Sequence, residues 1–459
     1  MSPSATLSSR GQERLDRVQA YYATNLLPVQ KNYDKDKNPE GLINLGTAEN
    51  SLLSDKLLEL INSRFKLATE HLKYRSTLLN GFTPNTTQVL PRVINEALRP
   101  FIPNSIRSEH IAIGPGIGAV LAHLLWHLCD EGDGVLLTAP FYSDYIRDII
   151  YPARARPVIV PIPADIDSLS VEAIPYLRRH IEAQLADGQK IKVLILNNPH
   201  NPLARAYPVN TIVEYARIAE EFNLHLVADE VFANEVYSTR YTPHPTPFTS
   251  VLSFPPPPSS DALPCSSSRI HVLWSPSKDL GASGLKIGAL ISPEPANKPL
   301  IETIRASMSA TPVSGAADAV FTAILDEENG KWYEAFLEEN RRRLRESMEL
   351  VAGWCEVHGL GFEHAQAGPF LLVDFDKVIR KMEVAGPKDE FMSHSLSIED
   401  QAKLVIDLLV RGGVRLQVPS VYGDPKGTRI RVVFSHPVEI MKIALRRIET
   451  ALGLPHAEV

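Results

Sequence analysis

The residues able to do chemistry gather in five short segments: Gly-Pro-Gly-Ile-Gly at 114–118, Pro-Phe-Tyr at 140–142, Asn-Asn-Pro-His-Asn-Pro at 197–202, Asp-Glu at 229–230 and Ser-Pro-Ser-Lys at 275–278. Lys278 has Ser275 and Ser277 beside it and Lys286 eight residues on. Neighbouring cations depress a lysine's proton affinity, and hydroxyls donate to a bound phosphate, so the grouping has what a Schiff-base lysine beside a phosphate cup requires. Read in isolation, the same lysine is a solvated charge. Asp229 closes the apolar run 224–228. An unpaired carboxylate is expensive there, so either a cationic ring nitrogen balances it or it caps the next helix. The glycines at 114–118 lead into an apolar helix at 119–128, which offers backbone amides to a phosphate or is simply a tight turn. A dinucleotide fold would need a ribose-binding acid at the end of the second strand, but 135–138 runs into Ala139 and Pro140.

The elements that position these residues begin near Glu109. Seven β-branched runs, at 111–113, 135–138, 158–161, 193–196, 224–228, 271–274 and 289–292, alternate with longer helical segments. The alternation predicts an α/β fold with a mostly parallel sheet covered on both faces. Each chemical segment directly follows one of these strands. Ligands of an open parallel sheet bind at the carboxyl ends of its strands, so five such segments in one register imply one shared site. Lys278 is placed two residues before a helix start.

Residues 1–40 read as a polar lead, a short helix near 14–24 and a turn-rich stretch at 32–41. The Pro- and Ser-rich segment 254–268 has no apolar periodicity and reads as a mobile surface insertion. Beyond Asn329 a charged helix at 331–354 and short strands near 370–375 and 431–434 predict a separate α+β lobe.

Composition narrows the function. A chain of 459 residues exceeds one compact core, which favours two units sharing a cleft. With 44% apolar and 22% charged residues it falls outside the disordered, fibrous and membrane classes. A net charge of −7 argues against nucleic-acid partners. Cys129, Cys265 and Cys355 form neither a disulfide framework nor a zinc motif. The polar N-terminus lacks a signal-peptide core and no run reaches membrane-spanning length, so a cytoplasmic location and no membrane contact are expected. His123 and His127 lie four apart but lack a third ligand, so helix packing rather than a metal is expected. The arginines of 341–345 read as a solvated face.

The order and spacing of the five segments resemble the fold-type-I pyridoxal phosphate enzymes of the aspartate aminotransferase superfamily, over nearly the whole chain. Residues 198–202 resemble the family's N-P-x-N-P, 229–232 its D-E-x-Y, and 275–288 its S-x-S-K followed by G-x-R-x-G. The resemblance implies a large domain at 61–328 on a mostly parallel seven-stranded sheet, a smaller α+β domain at 329–459, and an N-terminal arm, part of the small domain, at 1–60. Residues 31–52 are similar to the entry segment of 1-aminocyclopropane-1-carboxylate synthase and its fungal relatives, with Glu49 in the substrate-facing carboxylate position.

Carried over residue by residue, the resemblance implies pyridoxal 5'-phosphate bound as a Schiff base to Lys278, with Lys278 then serving as acid or base at Cα. It implies Asp229 at the pyridinium nitrogen, Asn201 at the ring oxygen and Tyr142 on the ring face. Gly116, Ile117, Ser275, Ser277 and Lys286 would surround the phosphate, and Arg431 would clamp the carboxylate of an amino acid substrate. Tyr74 resembles a substrate-facing tyrosine that the neighbouring subunit supplies, which implies a homodimer with its active site at the interface.

Four positions depart from the pattern. Phe232 replaces a tyrosine that donates to the ring oxygen, and Lys286 replaces an arginine, keeping charge but losing the bidentate fork. Ala204 replaces a glycine, and residues 75–82 lack the tyrosine-histidine-glycine signature of authentic cyclopropane synthases. The expected activity is Cα deprotonation followed by loss of a sulfur leaving group, a lyase of specialised metabolism. The alternatives are an aminotransferase and a non-catalytic homologue.

Overall fold

The computed structural model describes residues 7–16, 31–73, 89–92, 106–255, 259–293, 295–385 and 396–458. Its strands are, in chain order, β1 (Ile43–Asn44), β2 (Ile111–Gly114), β3 (Gly134–Thr138), β4 (Arg156–Val160), β5 (Ile191–Asn197), β6 (His225–Asp229), β7 (Ile270–Trp274), β8 (Gly288–Ile291), β9 (Gly361–Phe362), β10 (Phe370–Asp374), β11 (Val414–Arg415) and β12 (Arg429–Val433). The seven runs expected from sequence are β2 to β8, and they form one sheet in the order β2-β8-β7-β6-β5-β3-β4. Four pairings are parallel, and only β8 runs against its neighbours β2 and β7. Six strands therefore point their carboxyl ends at one edge, and β8 brings its amino end to the same edge.

Continuous apolar runs suit strands buried on both faces. Alternate side chains go to opposite layers. Leu136, Leu194, Leu226 and Val272 face the helices Ile174–Ala186, Val209–Glu221 and Gly315–Asp326. Val135, Val193, Val227 and Leu273 face Ile117–Leu128 and Lys298–Met308.

A further core joins β10, β12, the helices Ile398–Arg411 and Val438–Leu452, and the distal half of the helix Lys331–His358, through Val351, Trp354, Phe370, Leu409 and Ile448. That core also takes Leu42, Ile43 and Leu45 from the entry segment, and Phe232 and Tyr237 from the turn after β6. Parallel pairing of β1 with β11 fixes the entry segment there. The proximal half of Lys331–His358 packs Tyr333, Phe336 and Leu337 into the large-sheet core, so one helix belongs to both. The helix ends four residues later than expected, where Gly359 adopts φ 61, a left-handed C-cap.

Three expectations are corrected. The helix expected to begin after Lys278 is Pro276–Asp279, because Ser275 Oγ accepts from Ser277 N and proline takes the first turn. Lys278 is thus inside that short helix. Segment 254–268 is not wholly a surface insertion, since Leu263 and Cys265 are buried in the large-sheet core. Arg341 leaves the solvated arginine face and donates Nη1 to Asn234 O at 3.2 Å, whereas Arg342 and Arg343 pair with Glu339. The N-terminal helix is described over 9–16, and its expected continuation to 24 lies outside the described residues. His127 donates Nδ1 to His123 O at 2.7 Å and stands 3.2 Å from Ser307 Oγ through Nε2, a helix-packing role. Among the described residues no helix is long and apolar enough to cross a membrane.

One tight contact in this frame is at Gly288, where β8 meets the turn after β2. An added Cβ would lie 2.7 Å from both Gly116 C and Ile117 N, with backbone on each side unable to yield. Gly288→Ala is expected to lower the unfolding free energy by about 1–3 kcal/mol in a urea titration. Gly284→Ala, whose Cβ meets nothing within 4 Å, is the control expected to leave it unchanged.

Candidate active site

The common strand edge opens into a cavity of about 790 Å³ lined by Gly116, Ile117, Tyr142, Asn201, Asp229, Phe232, Ser275, Ser277, Lys278, Lys286 and Arg431. These are all the residues that sequence reasoning placed in the site except two. Glu49 is not in the cavity wall and is exposed, though its charge still acts on Lys278. Tyr74 lies outside the described residues.

Lys278 forms the floor. Its Nζ donates to Ala48 O at 2.7 Å, which ties the short helix of one lobe to the entry segment of the other. Burial pushes its pKa below the ordinary lysine value, Arg431 and Lys286 push the same way, and Glu235 and Glu49 oppose them. Asp229, the last residue of β6, is 4% exposed and lines the same cavity. Its Oδ2 accepts from Tyr145 OH at 2.5 Å and its Oδ1 from Val231 N at 3.3 Å. Burial raises its pKa, while the Tyr145 bond and the charge of Lys278 restrain the rise. Tyr142 packs edge-on to Tyr145 at 5.2 Å and donates to Asp144 Oδ2 at 2.9 Å.

At one end, Gly116 with φ 92 opens the helix Ile117–Leu128, so unpaired amides point into the cavity. Ser275 Oγ and Ser277 Oγ stand 2.8 Å apart and both donate to Ile287 O. Lys286 completes this end from a left-handed backbone position, φ 54.

At the other end Arg431, on β12, is 3% exposed. It donates Nη1 to Asn201 Oδ1 at 2.8 Å and Nη2 to Gly46 O at 2.6 Å, between the rings of Phe370 and Tyr422 at 5.1 Å each. Its Nε has no acceptor among the described residues. The planar fork suits a carboxylate. Engaging Asn201 Oδ1 leaves the Asn201 amide nitrogen as a free donor toward a ring oxygen. Phe232 is 3% exposed and edge-on to Phe370 at 5.4 Å, so carbon occupies its place in the wall.

This donor set fits pyridoxal phosphate. A buried carboxylate answers a protonated ring nitrogen, an amine of lowered proton affinity answers an aldehyde, and amides and a lysine answer a phosphate, joined by the two serine hydroxyls once they turn from Ile287 O. Gly288 keeps the phosphate end open where any side chain would collide with its backbone.

Sequence reasoning missed Tyr145, which has no strand end or motif beside it, and Ala48, whose contribution is a backbone carbonyl. It also missed Arg14, which lines the outer cavity with its guanidinium over the Tyr151 ring at 4.7 Å. None of these carries a local signal.

Residues 41–448 match the family model described as Aminotransferase class I and II. The "Probable aminotransferase aclI" of Aspergillus oryzae is 29% identical over 98% of this chain and 99% of its own. The "1-aminocyclopropane-1-carboxylate synthase-like protein 1" of Bos taurus is 29% identical over 76% of this chain and 66% of its own. Aspartate aminotransferase from Thermus thermophilus with maleate shares the fold at TM-score 0.66 and 16% identity, over 98% of this chain and 100% of that one.

If Arg431 is the buried carboxylate clamp, Arg431→Ala weakens amino acid binding by about 2–5 kcal/mol, measured as the dissociation constant in a spectral titration. Unchanged affinity removes it from that role.

Proposed function

The chain belongs to the class I and II aminotransferases, a family of pyridoxal-phosphate-dependent enzymes, and from that premise we propose that it carries the cofactor on Lys278 and processes an amino acid by removing its Cα proton. Bound there, the cofactor supplies an electron sink for the charge left at Cα. The observation that carries the reading is the convergence of Lys278, Asp229, Asn201 and Arg431 on one cavity.

Arg431 holds the substrate carboxylate through its two Nη groups and so fixes which Cα bond faces Lys278. The Lys278 amine, its proton affinity lowered chiefly by burial, is a base closer to neutral pH than a solvated lysine and takes the Cα proton. Asp229 keeps a proton at the ring nitrogen, with Tyr145 holding the carboxylate in place. Phe232 and Phe370 exclude water from this side.

The next bond broken is carbon–sulfur. The Cα proton goes to Lys278, sulfur leaves with the bonding pair and is protonated, and the released enamine takes up water to give a 2-oxo acid and ammonia. Phe232 supports this reading: with no hydroxyl there, the ring surroundings differ from those expected of a routine aminotransferase. Glu49, exposed and outside the cavity wall, lends it no support. An aminotransferase is the second reading, favoured by the name of the Aspergillus oryzae relative.

We place the activity in the cytoplasm and in specialised metabolism, in a homodimer. We divide the chain into a large lobe at 61–328 and a small lobe at 329–459 with the arm at 1–60, noting that Leu57 and Leu60 of the helix Ser54–Arg64 pack into the large-sheet core.

Incubation with thioether amino acids, without any added oxo acid, is expected to release thiol, ammonia and 2-oxo acid together. Lys278→Ala is expected to reduce that release at least about a hundredfold. An absolute requirement for a second oxo acid selects the aminotransferase instead.

A further inference from the structure

Gln417 lines the cavity that Lys278 and Arg431 also line, and neither the cofactor contacts nor the carboxylate clamp accounts for it. It lies two residues beyond β11, is half-buried, and packs over the entry segment: a Cβ added at Gly46 would meet Gln417 Cγ at 3.4 Å. Gly46 O is also where Arg431 Nη2 donates, at 2.6 Å. Tyr422 joins the two side chains. Its ring lies 5.1 Å from the Arg431 guanidinium, and its hydroxyl donates to Gln417 Oε1. Tyr422 is itself 0% exposed, and its carbonyl accepts from Phe141 N at 2.8 Å, so the phenol that orients Gln417 is tied to the segment after β3.

With Oε1 engaged, the Gln417 amide nitrogen is left to donate, and among the described residues it has no acceptor. A glutamate would satisfy the Tyr422 hydroxyl equally well, but its charge would compete for Arg431; the amide answers the phenol and leaves the guanidinium to the substrate. The substrate carboxylate does not need this extra donor. Arg431 engages one N–H with Asn201 Oδ1 and one with Gly46 O, and N–H groups remain on Nη1, Nη2 and Nε. The Gln417 donor is therefore available to another part of the substrate. It carries no charge of its own, so it suits a carbonyl oxygen better than a second carboxylate.

We propose that Gln417 is a specificity residue whose amide nitrogen donates to a carbonyl oxygen on the substrate's side chain. The substrate is then a thioether amino acid whose sulfur substituent carries an amide, ester or ketone. This deepens the reading that Arg431 clamps the α-carboxylate, and rests on it. Tyr422 is the positioning residue, since its hydroxyl fixes which end of the Gln417 amide meets the ligand. A ligand lacking the acceptor leaves that donor unpaired in the filled site, which is how such a wall discriminates.

S-carbamoylmethylcysteine and S-isobutylcysteine match in size, and only the first offers a carbonyl. Their dissociation constants are measured in a rapid-mixing spectral titration of the holoenzyme. The ratio of the two, isobutyl over carbamoylmethyl, is expected to fall about tenfold in Gln417→Leu relative to wild type, chiefly through weaker binding of the carbamoylmethyl ligand. Gln417→Met, unbranched and of similar length, is expected to give the same fall and decides alone should the leucine variant not fold. A ratio unchanged from wild type, with both ligands weakened alike or neither weakened, overturns the proposal and leaves the amide a structural partner of Tyr422. Arg431→Ala tests the underlying reading separately. It is expected to weaken both ligands, and if it weakens neither, the clamp fails whatever the Gln417 ratio shows.

Discussion

Asp229 ends a strand whose other inner residues are all apolar, and a carboxylate at 4% exposure must be answered by a cation or protonated. The protein offers it one phenol, one distant amide and the field of Lys278. That incomplete pairing, with a lysine of lowered proton affinity lining the same cavity, suits a charged aromatic ligand better than a closed core. The sheet makes the arrangement rigid. Six strands ending at one edge fix the wall, the cradle and the floor on elements buried on both faces.

The proposed carboxylate site draws on the second core. Arg431 lies on β12, and its partners Asn201 and Gly46 come from the large sheet and the entry segment. Lys278 reaches the same segment through Ala48. The entry segment is held by its pairing with β11 and by Leu42, Ile43 and Leu45 in the small-lobe core. A carboxylate at Arg431, as proposed, would act on contacts that join both cores, and the long helix Lys331–His358 contributes side chains to each.

Much of this was legible in the sequence because strand ends are local. The seven β-branched runs became the seven strands, and the residues after five of them line one cavity. What failed was whatever depends on distant partners. Tyr145 matters only because β6 brings Asp229 to it, and Ala48 only because the entry segment crosses to Lys278. Leu263 and Cys265 sat in a segment with no periodicity, yet the large-sheet core reaches out to them. Glu49 was expected in the site from its motif; it lies outside the cavity wall, and its charge still acts on Lys278.

The central claim is that Lys278 and Asp229 face one another across a bound pyridoxal phosphate. A crystal structure of the cofactor-loaded protein tests it directly. The account predicts continuous density from Lys278 Nζ to the cofactor's aldehyde carbon, with an Asp229 carboxylate oxygen in hydrogen-bond contact with the ring nitrogen. A cofactor attached to another lysine, or a ring nitrogen facing anything other than Asp229, contradicts it.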